Sequence, residues 1–151
     1  MSSSTGNADA PNLAGYFIED LSEGMSAVYA KTVTETDIIL FAGISGDNNP
    51  VHLNEEYAAR TMFKGRIAHG MLSAAFISAV IGTRLPGPGC IYMSQSLEFK
   101  APVRIGDTVT ARATVVDVIT AKKRAVIDTI CTVGDTVVIR GQALVMVPSR
   151  E

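Results

Sequence analysis

The chain has 151 residues, 47% of them hydrophobic and 19% charged, with a formal net charge of −2 at pH 7. That is enough for one domain with its own core, and the balance is that of a globular protein. No basic field is present, which argues against nucleic acid as a partner, and no apolar run reaches the roughly 18 residues of a membrane span.

Residues 1–14 are rich in Ser, Gly, Asn and Pro and read as a disordered tail. They lack the basic and apolar regions of a secretory signal, so a cytoplasmic protein is expected, with a single domain over 15–151. Cys90 and Cys131 lie far apart without metal-type neighbours, and both are expected as reduced, buried thiols. Residues 16–24 lead into a strand expected over 25–33. Thr34 followed by Asp37 resembles a capping box. The helix it opens should bury Ile38, Phe41, Ala42 and Ser45 and stop near Gly46.

The stretch Gly43-Ile-Ser-Gly-Asp-Asn-Asn-Pro-Val-His-Leu-Asn54 places an acid, Asp47, five residues before an imidazole, His52. Pro50 removes a backbone donor and pushes Asn49 out of the helical region, and Asn48 and Asn49 favour turns. Both chemical side chains are therefore expected on a loop. Asn54 should cap a short helix with Glu55 and Glu56 in its first turn, and 60–67 reads as irregular. Ala68-His69-Gly70-Met71 then opens an apolar pattern over 71–83 with almost no polar face. Such a helix should be buried on all sides. At about 20 Å it is too short for a bilayer, and Pro86-Gly-Pro-Gly89 stops it. An acid, a base and a glycine at a helix start are the parts needed for proton transfer beside an oxyanion.

From 91 to 103 apolar and polar residues alternate as in a strand. A turn at 105–107 leads to a second alternating run over 108–115. Residues 124–133 and 137–147 are β-rich, with Val126, Ile130, Val138 and Leu144 off the expected face, which suggests that both faces are covered there. Short connections make neighbours antiparallel. The expected class is α+β, a roll in which an antiparallel sheet curls around one long buried helix.

Phe41-Ala-Gly-Ile-Ser-Gly-Asp47-Asn-Asn-Pro50-Val-His52, followed by Ala68-His69-Gly70-Met71, resembles the signature of the MaoC-like (R)-specific enoyl-CoA hydratases. Gly89 to Val103 and Ile105-Gly-Asp107 are also similar to that family, so the likeness spans about 16 to 148. It implies a hot-dog fold and a homodimer whose sheets join edge to edge, which would remove an unpaired edge strand. It implies that Asp47 and His52 exchange protons with one water, and that the Gly70 N–H stabilises the thioester oxyanion. Ser78 matches a family position lining the site. Asn49 and His69 are expected in support, and Ile77, Val80 and Ile81 as walls of an acyl pocket. The substrate that the resemblance implies is an acyl-CoA thioester, so neither a metal nor a cofactor is expected beyond its coenzyme A. One or two of Arg60, Lys64, Arg66, Lys100 and Arg104 would meet its phosphates. The same residues would serve a 3-hydroxyacyl-carrier-protein or 3-hydroxyacyl-CoA dehydratase, which runs the reaction backwards. A non-catalytic acyl-thioester-binding module is the alternative from another class, against which the intact Asp47/His52 pair argues. A thioesterase is disfavoured because 71–83 contains no Asp or Glu.

Overall fold

The computed structural model describes residues 13–151, so the tail expected over 1–14 lies, for residues 1–12, outside the described residues. A 3-10 turn at Ile18–Asp20 precedes strand β1 (Ser26–Thr32). Thr34 then caps helix α1 (Glu35–Ser45): its Oγ1 accepts from the Asp37 N–H at 3.1 Å, and the Asp37 carboxylate accepts from the Thr34 N–H at 2.9 Å. Two otherwise orphaned donors are thereby satisfied. Helix α1 ends at Gly46, whose φ of 79° is a left-handed conformation that glycine adopts without strain. It buries Ile38 and Ala42, while Phe41 is half-buried and Ser45, against expectation, is exposed. Two short helices follow, α2 (Pro50–Leu53) and α3 (Glu55–Ala59), the latter capped by Asn54. The long helix α4 spans Gly70–Thr83.

The remaining chain forms β2 (Ile91–Gln95), β3 (Glu98–Phe99), β4 (Thr108–Ile119), β5 (Arg124–Val133) and β6 (Thr136–Met146). The sheet runs β1-β4-β5-β6-β2, with β3 also paired to β6, and every pairing is antiparallel. Helix α4 lies across β1, β4 and β5. The strands meet it with alternate residues: Val109, Ala111, Ala113 and Val115 from β4, and Ala125, Ile127 and Cys131 from β5, all fully buried. Small residues at the centre of β4 let the helix axis come close to the sheet, and Leu72, Phe76, Ile77, Val80 and Ile81 complete the core from the helix side. This is the α+β roll of the expectation.

Three details differ from the sequence reading. Helix α4 is not enclosed all round by this chain, because Met71, Ala75, Ser78 and Gly82 form an exposed stripe. The alternating run 91–103 is broken into β2 and β3, with a register shift between Tyr92 and Ser94, and Ile91, Met93 and Phe99 are exposed at this end of the sheet. The irregular alternation near Val138 has a local cause: Cys131 pairs Ile139 while Thr132 pairs Val137. Val138 is thus the extra residue of a bulge, and both Val138 and Ile139 turn inward. Elsewhere the outer face is half-covered, with Val126, Ile130 and Leu144 half-buried. Both cysteines are free thiols. Cys131 is buried as expected and burial pushes its pKa up to about 12, whereas Cys90 is only half-buried.

Candidate active site

The segment between α1 and α4 is held by side chains bonding to backbone. Ser45 Oγ donates to the Phe41 carbonyl at 2.6 Å and accepts from the Asp47 N–H at 3.1 Å. The Asn49 N–H donates to the Asp47 carboxylate at 3.3 Å, and Asn49 Oδ1 accepts from the Val51 N–H at 3.1 Å. Asn49 is thus the cap of α2, with Pro50 at its first position. A proline there loses no helical hydrogen bond and presets the helical φ. His52 consequently sits on a helical turn rather than on the expected loop.

His52 is nearly buried, and its Nδ1 lies 2.8 Å from the Ile67 carbonyl oxygen. A carbonyl only accepts, so Nδ1 carries the proton and Nε2 carries the free lone pair. Burial holds the imidazole pKa below its ordinary 6.5; the Ile67 bond and the nearby Asp47 oppose that shift, and the neighbouring His69 adds to it. The ring is therefore neutral at neutral pH.

His69 is the cap residue of α4: its carbonyl accepts from the Leu72 N–H at 3.0 Å, while its side chain makes no capping bond. Its Nε2–H donates to the Asp47 carbonyl at 3.0 Å. Its ring stacks on His52, with centroids 3.9 Å apart and planes 29° from parallel, and lies 4.8 Å from the Phe41 ring. One donor atom from each of Asp47, His52 and His69 falls within 4.8 Å of the others. A metal ion would need to lie about 2.1 Å from each nitrogen and along its lone pair. Two rings stacked at this spacing point their lone pairs along separate planes, so the trio is poorly suited to a metal.

Arg66 ties these pieces together. Its Nε–H donates to the His52 carbonyl at 2.7 Å, and its two terminal nitrogens fork onto Glu35 at 2.8 and 3.0 Å. With the Ile67 N–H on the Val51 carbonyl at 3.2 Å, the segment 66–67 straps α2 to the first residue of α1. Gly70 begins α4, where backbone N–H groups lack helical partners. A Cβ on Gly70 would lie 2.7 Å from the Phe99 ring, so only glycine lets that ring close over the helix start.

Asp47, His52, His69 and Gly70 all border one cavity of about 490 Å³. Its exposed lining includes Met62, Met71, Phe99 and Lys100, and its buried lining Ser73, Val103, Val138 and Ile139. Lys100 is paired with Glu98 at 2.6 Å. Four of the residues expected at the site are thus brought together, and Asn49 supports them through its cap. Ser78, Ile77, Val80 and Ile81 are not on this wall. The cavity reaches one turn into α4, to Ser73, whereas Ile77, Val80 and Ile81 sit in the core behind it and Ser78 is on the exposed stripe. The sequence reading missed Ser73 and the clamp made by Arg66. Ser73 could have been found, since residues three apart on a helix share a face and Gly70, the first residue of α4, was already singled out.

The model of the MaoC like domain matches residues 19–139. An (R)-specific enoyl-CoA hydratase of Rhodospirillum rubrum is 62% identical over 141 residues, which cover 93% of this chain and 98% of the relative. A 3-hydroxybutyryl-CoA dehydratase of Methylorubrum extorquens is 50% identical, covering 93% and 90%. Among solved structures, the unliganded R-hydratase PhaJ1 of Pseudomonas aeruginosa superposes with a TM-score of 0.85 at 44% identity, covering 90% of this chain and 88% of that one. The (R)-hydratase of A. caviae involved in PHA biosynthesis gives 0.83 at 40% identity, covering 86% and 99%. The roll is the hot-dog fold of these hydratases, and the chain belongs to the MaoC-like domain family.

Proposed function

We propose that this protein is an (R)-specific enoyl-CoA hydratase, adding water to a trans-2-enoyl-CoA to give the (R)-3-hydroxyacyl-CoA. The observation that carries the reading is the convergence of Asp47, the lone pair of His52 and the start of α4 at Gly70 on one cavity. The thioester carbonyl makes Cβ electrophilic and collects negative charge as oxygen adds there. The Gly70 N–H, at the positive end of a helix, meets that charge. His52 Nε2 and the Asp47 carboxylate are acceptors and hold the two O–H bonds of one water. The group that takes a proton becomes the acid that delivers it to Cα. One water proton ends on Cα and the hydroxyl ends on Cβ, so nothing else is consumed.

The same transition state serves dehydration, the direction in which the Methylorubrum extorquens relative is named. The reading extends to a homodimer in the cytoplasm. The exposed β2 edge with Ile91 and Met93 and the open stripe of α4 fit a second copy better than water. Among the described residues no helix is long and apolar enough to cross a membrane. Mixing the protein with crotonyl-CoA, following the enoyl-thioester absorbance and determining product chirality tests the activity. Rapid loss with an (R) product is expected; no turnover of any enoyl-CoA would overturn the reading. Sedimentation should give twice the chain mass, and a monomer would refute the dimer.

A further inference from the structure

The turn that carries Asp47 is tied mainly to itself. Residues 43–50 are exposed, and the bonds between Asp47 and Ser45 and Asn49 stay within two residues of it. Among the described residues, the one hydrogen bond that reaches Asp47 from outside this turn comes from His69 Nε2–H, at 3.0 Å on the Asp47 carbonyl. The other end of that bond is fixed. The Ala68 N–H donates to the Val103 carbonyl at 2.7 Å, the His69 carbonyl accepts from the Leu72 N–H at 3.0 Å, and His69 is 1% exposed. The bond to Asp47 is also the ring's single one, because Nδ1 has no partner.

The same ring stacks on His52 at 3.9 Å and touches Phe41 at 4.8 Å. One side chain rooted at the start of α4 therefore meets the turn bearing the acid, the helical turn bearing the base, and α1. Two acceptors that share one water must be closely placed, and a shift of about 1 Å can cost about 100-fold in rate. Burial does not fix the exposed Asp47, so a directed bond from a buried ring has to. The stack fixes the plane of the His52 ring, and with it the direction of the Nε2 lone pair. The one ring proton of His69 is committed to a carbonyl, which only accepts, so the residue acts through Asp47 and His52.

Resting on the hydratase reading, we propose that His69 is a positioning residue for the reaction. It ties the turn of Asp47 to the start of α4 and holds the plane of the His52 ring, so that both acceptors meet one water. The test measures kcat and KM with crotonyl-CoA, and melting temperature, in two complementary variants. His69→Phe keeps a flat ring beside His52 but loses the bond to Asp47. His69→Gln loses the ring but carries an amide N–H the same number of bonds from the backbone as Nε2–H. His69→Phe should lower kcat about 10–100-fold with KM within about threefold of the natural value. His69→Gln should be the faster of the two. Made in Asp47→Asn, the His69→Phe loss should shrink to about threefold or less, because its effect runs through Asp47. If phenylalanine prevents folding, His69→Leu, which lacks both ring and donor, takes its place in both backgrounds and should show the same shrinkage. A normal kcat with a lowered melting temperature overturns the inference and leaves His69 as packing. A loss undiminished in Asp47→Asn overturns it by placing the action of His69 elsewhere, and His69→Gln no faster than His69→Phe overturns the bond as the tie. All three leave the hydratase reading standing, since the natural protein turns over. Absence of turnover by the natural protein with enoyl-CoAs of every length overturns that reading and this inference with it.

Discussion

The β5–β6 hairpin and the segment from Gly46 to Gly70 are built by opposite means. In the hairpin, alternate residues such as Ala125, Ile127, Ala143 and Val145 are buried against the core, and backbone pairing keeps one register from Arg124↔Met146 to Cys131↔Ile139, as far as the bulge at Val138. In the segment there is little repeat. Ser45, Asn49, His52, Arg66 and His69 each hold a particular backbone atom. Burial is non-directional and sums over area, so it makes a stable frame. Directed hydrogen bonds place atoms, as a pair acting on one water requires.

Variants should separate the two. The largest effect is expected from Asp47→Asn, which removes the acceptor proposed for the reacting water while keeping shape. Turnover should fall about 10²–10⁴-fold, with a melting temperature close to the natural one, because the side chain is exposed and bonds only one N–H. Ile127→Ala should do the reverse. Its cavity lies in the frame, fully buried, so denaturant unfolding should show a loss of about 2–5 kcal/mol while turnover per folded molecule stays unchanged. A large loss of turnover there would mean that frame and site are not separable.

Arg66→Met should fall between them. It keeps the apolar stem but frees the His52 carbonyl and Glu35. A slightly misplaced imidazole should lower kcat by about 10–100-fold with little change in KM, and Arg66→Lys, lacking the fork, should restore only part. A fall in melting temperature with kcat intact would reduce Arg66 to a structural role. The smallest effect is in pH. The folded state depresses the His52 pKa below 6.5, so the unfolded chain binds the proton more tightly. This contribution to stability is complete above about 6.5 and is lost as pH falls through the folded value. The acid limb of kcat/KM should accordingly lie below 6.5; a limb above it would contradict a neutral, buried imidazole.

The same contrast explains what could be read from sequence. The capping box of Thr34 and Asp37, the stop at Gly46 and the strands of β4 and β5 follow from local rules and period two. The MaoC-like pattern singled out Asp47, His52 and Gly70 by their distinctive spacing, and the fold brings all three to one cavity. Position 78 on α4 gave no hint of exposure, since an apolar helix looks the same whether this chain or another covers it. The bulge at Val138 depends on strand register, and the clamp of Arg66 on Glu35 spans 31 residues, beyond any local pattern. Ile77, Val80 and Ile81 had the right chemistry for an acyl wall, but how far a cavity penetrates depends on backbone placement.

The central claim is that Asp47 and His52 act as one unit on one water. It is tested most directly by kcat with crotonyl-CoA for Asp47→Asn, His52→Ala and the double variant. Groups acting together are strongly non-additive, so the double variant should be no slower than the slower single one by more than about threefold. If the two losses instead multiply, Asp47 and His52 act in separate steps and the shared-water account is wrong.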